Sequence, residues 1–230
     1  MTPLVLLPGM MCDARLFGPQ FAAFSGRVPL VSFPIGNAAS MAQLARGVLK
    51  HAPPRFALAG LSMGGILAME IVRQAPNRVD RLALLDTNPL AEQDAFRERR
   101  LEQIARVRHG HLRSVMRDEM KPNYLAQGPD RDRILELCME MALGLGPEVF
   151  VNQSLALRDR PDQRETLRGY AGQALILCGG EDRLCPVERH ELMRNLIAGS
   201  HLVVVPGAGH LTTLEKPDET NAAIAAWLEA

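Results

Sequence analysis

Gly60-Leu61-Ser62-Met63-Gly64 stands between a short apolar run, Phe56 to Ala59, and a stretch with helical spacing of apolar residues, Gly65 to Gln74. In that setting the five residues read as a nucleophile elbow, a strand-to-helix turn that forces the serine into strained backbone geometry and exposes its hydroxyl. The flanking glycines have a steric reason, since a Cβ on either side of the serine would meet the adjoining strand or helix. Five residues are a short pattern, so its meaning depends on what the rest of the chain places around Ser62.

Outward from the elbow, strand-length apolar runs recur at Leu4 to Leu7, Val28 to Phe33, Leu82 to Leu85, Ala174 to Cys178 and Leu202 to Val205. None alternates apolar with polar, as expected of strands covered on both faces of a parallel sheet. Between them, Met41 to His51, Glu188 to Ile197 and Pro217 to Leu228 carry apolar residues three and four apart, the helical period. Alternating strands and helices predict a doubly wound α/β fold whose site lies beyond the carboxyl ends of the strands. The alternation stops between Pro89 and about Arg168. There Ala91 to Arg108, His111 to Met120 and Asp130 to Leu143 read as helices, interrupted by Pro122, Gly128-Pro129, Gly144 to Pro147 and Pro161. About half of the chain's charge falls in this stretch, which predicts a helical insertion, residues 89–168, over a core formed by 1–88 and 169–230.

Composition narrows the functional classes. The chain has 230 residues, 47% hydrophobic, with 26 basic and 26 acidic side chains. It can bury a sizeable core and has no net field to recruit nucleic acid or an anionic membrane surface. Only four apolar residues separate Met1-Thr2-Pro3 from Pro8-Gly9, and no run of about 18 apolar residues occurs, so neither a signal segment nor a membrane span is expected. Cys12, Cys138, Cys178 and Cys185 lack CxxC spacing and read as reduced thiols in a cytoplasmic protein rather than a disulfide framework or zinc site.

A serine hydroxyl needs a base within reach to take its proton. Two turns supply candidates in the right place: Gly179 to Pro186, containing Asp182, after the fifth run, and Pro206-Gly207-Ala208-Gly209-His210 after the sixth. With the order Ser62, Asp182, His210, these turns, Glu215 and Pro217, and the early loop Leu7-Pro8-Gly9-Met10, the chain resembles the α/β hydrolase superfamily, in particular its compact capped esterases. That resemblance implies an α/β hydrolase fold with a trimmed, mostly parallel sheet of about six strands, helices on both faces and a helical cap. Ser62 would then be the nucleophile, His210 its base and Asp182 the orienting acid. Backbone N–H groups of Met10 and Met63 would form the oxyanion hole. Apart from the resemblance, the flexible side chains of Met10, Met11 and Met63 read as an apolar wall of the substrate pocket or as core packing.

Competing residues exist for each role. Glu181 and Asp86 are alternative acids, the latter because it too follows a strand. His51, His109, His111, His190 and His201 read as surface histidines, and Arg97, Arg99, Arg100, Arg158, Arg160 and Arg164 as solvated helix faces. Serine at the elbow speaks against dehalogenase and epoxide hydrolase chemistry, in which the family places aspartate. Leu211 stands where many carbon–carbon bond hydrolases of the family carry tryptophan. The expected activity is cleavage of a small carboxylic ester, thioester or lactone through an acyl-enzyme, with no metal or organic cofactor. Acyl transfer, carbon–carbon hydrolysis and a non-catalytic ligand receptor are the alternatives, and an acyl carrier protein is one conceivable partner.

Overall fold

The computed structural model describes residues 2–230. Six strands form a single sheet: β1 Leu4–Leu7, β2 Leu30–Ser32, β3 Phe56–Leu61, β4 Val79–Leu85, β5 Gln173–Gly179 and β6 His201–Val205. Their order is β2-β1-β3-β4-β5-β6, and all five pairings are parallel. Because successive residues of a strand face opposite sides, the sheet feeds two cores. Val5, Leu7, Leu58, Leu82, Leu84 and Ile176 enter one, and Leu4, Leu6, Ala57, Ala59, Ala83 and Leu177 the other.

The first core is closed by helices α2 (Met41–His51), α3 (Met63–Gln74) and α8 (Val187–Leu196), and the second by α1 (Gly18–Phe24) and α10 (Pro217–Glu229). Ser40 caps α2 by accepting from the Gln43 N–H, and proline opens α10, as helix starts favour. Between β4 and β5 run α4 (Asp94–Arg108), α5 (Leu112–Val115), α6 (Arg131–Arg158) and α7 (Arg164–Arg168), with no strand among the described residues. A π-helical turn, Met116–Met120, continues α5. Gly146, at φ 83° and ψ 175°, breaks α6 just before Pro147, so it is two helices meeting at the predicted breaker. The four-residue helix α9 (Thr212–Glu215) precedes α10.

Strand order decides where the site lies. The chain runs from β1 outward to β2, then returns to the other side of β1 for β3, so the loops leaving β1 and β3 diverge at a topological switch point. Leu7 pairs with Gly60, which sets the early loop and the elbow side by side at the carboxyl edge.

Candidate functional site

Among the described residues the non-glycine ones with positive φ are Met11 (55°), Ser62 (56°) and Asp86 (46°), and they lie beyond β1, β3 and β4. Each such conformation costs on the order of 1–3 kcal/mol, and strain of this kind gathers at functional sites. At the elbow it is imposed by close packing. A Cβ on Gly60 would stand 2.2 Å from the Gly64 carbonyl oxygen, and one on Gly64 would stand 2.0 Å from that of Leu7. The elbow is held from behind: the Ser62 N–H donates to the Leu85 carbonyl at 2.9 Å, and Thr87 Oγ1 donates to the Ser62 carbonyl at 2.7 Å.

Ser62, His210 and Asp182 converge although they are far apart in the chain. His210 Nε2 lies 2.8 Å from Ser62 Oγ, and its Nδ1 lies 2.8 Å from Asp182 Oδ2. Asp182 Oδ1 accepts the N–H groups of Leu184 and Cys185 at 2.8 and 2.9 Å, so both carboxylate oxygens are engaged. Burial alone would raise the Asp182 pKa, but the neighbouring His210 and these hydrogen bonds bring it below the ordinary carboxylate value. Burial likewise disfavours a charged His210, yet the charge of Asp182 and its hydrogen bond outweigh that and raise the histidine's pKa.

Backbone contacts fix the His210 loop. Its N–H donates to the Tyr124 carbonyl at 2.7 Å. Glu215 accepts from Gly209 at 2.9 Å, Leu211 at 3.0 Å and Ala126 at 2.9 Å, gripping both sides of the histidine and joining it to the helical segment. The Met10 and Met63 N–H groups have no acceptor among the described residues. Met63 begins α3, where orphan N–H groups and the helix dipole favour negative charge.

Several expectations change. Asp86 is not paired with His210: its Oδ1 accepts from the Gly179 N–H at 2.9 Å and its Oδ2 from Thr212 Oγ1 at 2.6 Å, which ties the end of β5 to the chain after the histidine. Glu181 is exposed. Met11 does not line the pocket. Its side chain is buried in the first core, and its N–H donates to Gln153 Oε1 at 2.8 Å, while Met10 takes the pocket wall. Gln153 also donates to the Ile35 carbonyl at 3.2 Å, so a buried amide of α6 fixes the early loop, a contact no local pattern announces.

His190 is not a surface histidine. It is fully buried, and its Nε2 accepts the Thr87 N–H at 2.9 Å, which connects α8 to the residue supporting Ser62. Burial lowers its pKa from 6.5 to about 4. A depressed histidine pKa means that the unfolded chain binds the proton first, so stability is present above pH 6.5 and declines as pH falls toward 4. Between pH 7 and 5 the linkage amounts to about 2 kcal/mol. Because His210, with its raised pKa, contributes with the opposite sign in the same window, the loss is read as a difference: from pH 7 to 5 urea melts should show wild type losing more stability than His190→Gln, which titrates nothing there, and an equal pH dependence in the two would contradict the assignment.

Ser62 and His210 open into a pocket of about 380 Å³, lined also by Gly9, Met10, Leu61 and Ile66 and by residues of the helical segment, including Leu90 and Phe96. Asp182, Cys185 and His210 lie close enough together for a metal site to be considered. Their donors are already committed, however: Nδ1 to Asp182, both Asp182 oxygens to N–H groups, and a Cys185 thiol whose pKa burial raises well above the ordinary value. That set fits a hydrogen-bonded chain better than metal ligands. Among the described residues no helix is long and apolar enough to cross a membrane.

A family model described as "Alpha/beta hydrolase family" matches residues 4–223. The chain is 29% identical to the dihydrolipoyllysine-residue acetyltransferase component of the acetoin cleaving system of Pseudomonas putida, spanning 99% of this chain and 63% of that protein. It is 26% identical to the pimeloyl-[acyl-carrier protein] methyl ester esterase of Pectobacterium carotovorum, over 100% of this chain and 95% of the relative. Among solved structures it is similar to a thermophilic esterase from Thermogutta terrifontis, malate bound, with a TM-score of 0.91, 27% identity, and coverage of 100% and 90% of the two chains.

Proposed function

The chain belongs to the alpha/beta hydrolase family, and from that premise we propose that it hydrolyses small carboxylic esters, with thioesters and lactones in the same class, through an acyl-enzyme on Ser62. One observation carries the proposal: the imidazole of His210 stands 2.8 Å from the serine hydroxyl on one side and 2.8 Å from a carboxylate on the other. Attack of Ser62 Oγ on the ester carbonyl carbon transfers the hydroxyl proton to Nε2, and Asp182 stabilises the imidazolium. The carbonyl oxygen becomes an anion, for which the free N–H groups of Met10 and Met63 are the assigned donors. Collapse of the intermediate breaks the bond to the leaving alcohol, which takes the proton from His210. Water then repeats the sequence on the acyl-enzyme.

In this reading the helices between β4 and β5 are a cap that supplies one wall of the pocket and selects the acyl group. The substrate is a small acyl compound, including one borne on an acyl carrier protein, as the name of the methyl ester esterase relatives suggests. Four buried free thiols suit the reducing cytoplasm. The test is a fluorophosphonate probe followed by intact mass, with a panel of chromogenic esters of graded chain length. One adduct on the wild-type chain and measurable turnover are expected; an unlabelled chain would remove the proposal.

Protonated His210 cannot accept the serine proton, and its pKa is raised above the ordinary 6.5. The acid limb of kcat/KM should therefore have its midpoint above pH 6.5, with activity lost as pH falls through it. A limb centred below 6.5 would contradict the Asp182 contribution.

A further inference from the structure

The pocket contains a second set of charged side chains that ester hydrolysis itself does not use. Arg100 and Arg160, expected on solvated helix faces, have side chains only 17% and 7% exposed, and Glu92 between them only 6%. All three line the pocket. Glu92 Oε2 accepts from Arg100 Nε at 2.8 Å and from Arg160 Nη1 at 3.1 Å, while its Oε1 pairs with Arg160 Nη2 at 3.1 Å. Arg160 Nε donates to the Leu90 carbonyl at 2.9 Å, which locks that guanidinium in place.

Two guanidinium groups share one carboxylate, leaving one positive charge unbalanced on the largely buried wall of the pocket. Burial, together with the like charge of Arg100, draws the Arg160 pKa down despite Glu92. Taking charges out of water is costly unless opposite charge and hydrogen-bond partners return what solvation supplied. Arg100 keeps capacity for a ligand: its Nη1 reaches only the Met10 sulfur at 3.8 Å, a weak acceptor, and its Nη2 has no acceptor among the described residues and is not buried, in a residue that lines the pocket. Among the described residues the rest of the lining holds one further carboxylate, Glu119, which Arg99 and Arg106 pair, so the balance stays positive. Arg183 and Arg189 line the pocket without an ion pair among the described residues.

The Met10 contact sets Arg100 against the residue whose N–H is assigned to the oxyanion. We propose that Arg100 and Arg160 form an anion subsite within the pocket, so that the preferred ester carries a second, negatively charged oxygen group, a carboxylate or a phosphate-type oxyanion, beyond the bond that is cleaved. An oxyanion there supplies the missing acceptor and charge in a geometry the guanidinium fork suits. This inference rests on the ester hydrolase reading for the identity of the substrate but not for the binding of the anion.

Rates on three esters of similar length test it: 4-nitrophenyl hexanoate, the mono-4-nitrophenyl ester of adipic acid, and 4-nitrophenyl 4-phosphonobutanoate. At least one charged ester should exceed the neutral one in kcat/KM by tenfold or more, and which charged ester leads identifies the oxyanion. Arg100→Gln should lower the charged-to-neutral ratio by 10- to 100-fold, and Arg100→Lys should recover part of it; loss of packing alone would lower both rates and leave the ratio in place. A wild-type ratio at or below one, or a ratio that Arg100→Gln does not move, overturns the subsite. Calorimetry of the adipate monoester on Ser62→Ala separates the two proposals. Binding that weakens tenfold or more when Arg100→Gln is added, in a protein whose wild type turns over none of the esters, would leave the subsite standing and remove the hydrolase.

Discussion

Ser62→Ala is expected to lower ester turnover on the order of 10⁴- to 10⁶-fold and to abolish fluorophosphonate labelling, with the fold intact. The size follows from losing the whole acyl-enzyme route, since no other hydroxyl is in contact with His210 Nε2. The fold should survive because the elbow is secured through backbone atoms: the Ser62 N–H on Leu85, its carbonyl on Thr87, and the close approach of Gly60 and Gly64. A melting temperature within about 3 °C of wild type is therefore expected, about the shift that a 1 kcal/mol change produces in a chain this long. Equal labelling of the variant would place the nucleophile elsewhere.

Asp182→Asn should cost on the order of 10³- to 10⁴-fold in kcat/KM while changing volume hardly at all. The reason lies in the direction of its hydrogen bonds. All three partners of the carboxylate are donors: Leu184 and Cys185 N–H on Oδ1, and the imidazole on Oδ2. An amide has a single acceptor oxygen. If that oxygen keeps the two backbone N–H groups, the NH₂ faces His210 Nδ1 and forces the tautomer with its proton on Nε2, which cannot receive the serine's. The opposite orientation keeps the tautomer but sets the NH₂ against two N–H donors, a buried mismatch of about 1–3 kcal/mol. Either arrangement also removes the charge that raises the His210 pKa. Residual activity should therefore show its acid limb at lower pH, an effect that a purely structural defect does not produce.

Much of this site is legible along the chain because its chemistry sits at strand ends. Six unalternating apolar runs locate the strands, since burial on both faces removes the polar positions, and the loop after a strand is where a parallel sheet presents ligand groups. Leu4–Leu7 and Met41–His51 coincide with the predicted runs, and the elbow, acid and histidine turns each follow the strand expected of them. The short helices α1, α7 and α9 escape the reading because each has too few turns to show a period. In α6, Gly144 to Pro147 reads as a breaker after Leu143; the chain bends there, but a second helical half continues to Arg158.

Side chains whose role depends on what the other elements place around them are misjudged by sequence. His190, Arg100 and Arg160 each look like exposed polar residues of helices, since local sequence contains the charge but not the depth. Only packing shows that α8 turns His190 inward to Thr87, and that Arg100 in the middle of α4 and Arg160 after α6 meet at Glu92, just ahead of α4. Met10 and Met11 are neighbours with the same side chain, yet the positive φ of Met11 sends one to the core and leaves the other at the pocket. Sequence by itself determined the alternation of strands and helices and set Ser62, Asp182 and His210 in turns that follow strands, because both are written in local periodicity and turn residues, while the hydrolase fold and the three roles came from resemblance to a family. Tertiary structure alone decided the charge and shape of the pocket, because these arise where helices distant in the chain converge, and no short-range pattern records that meeting.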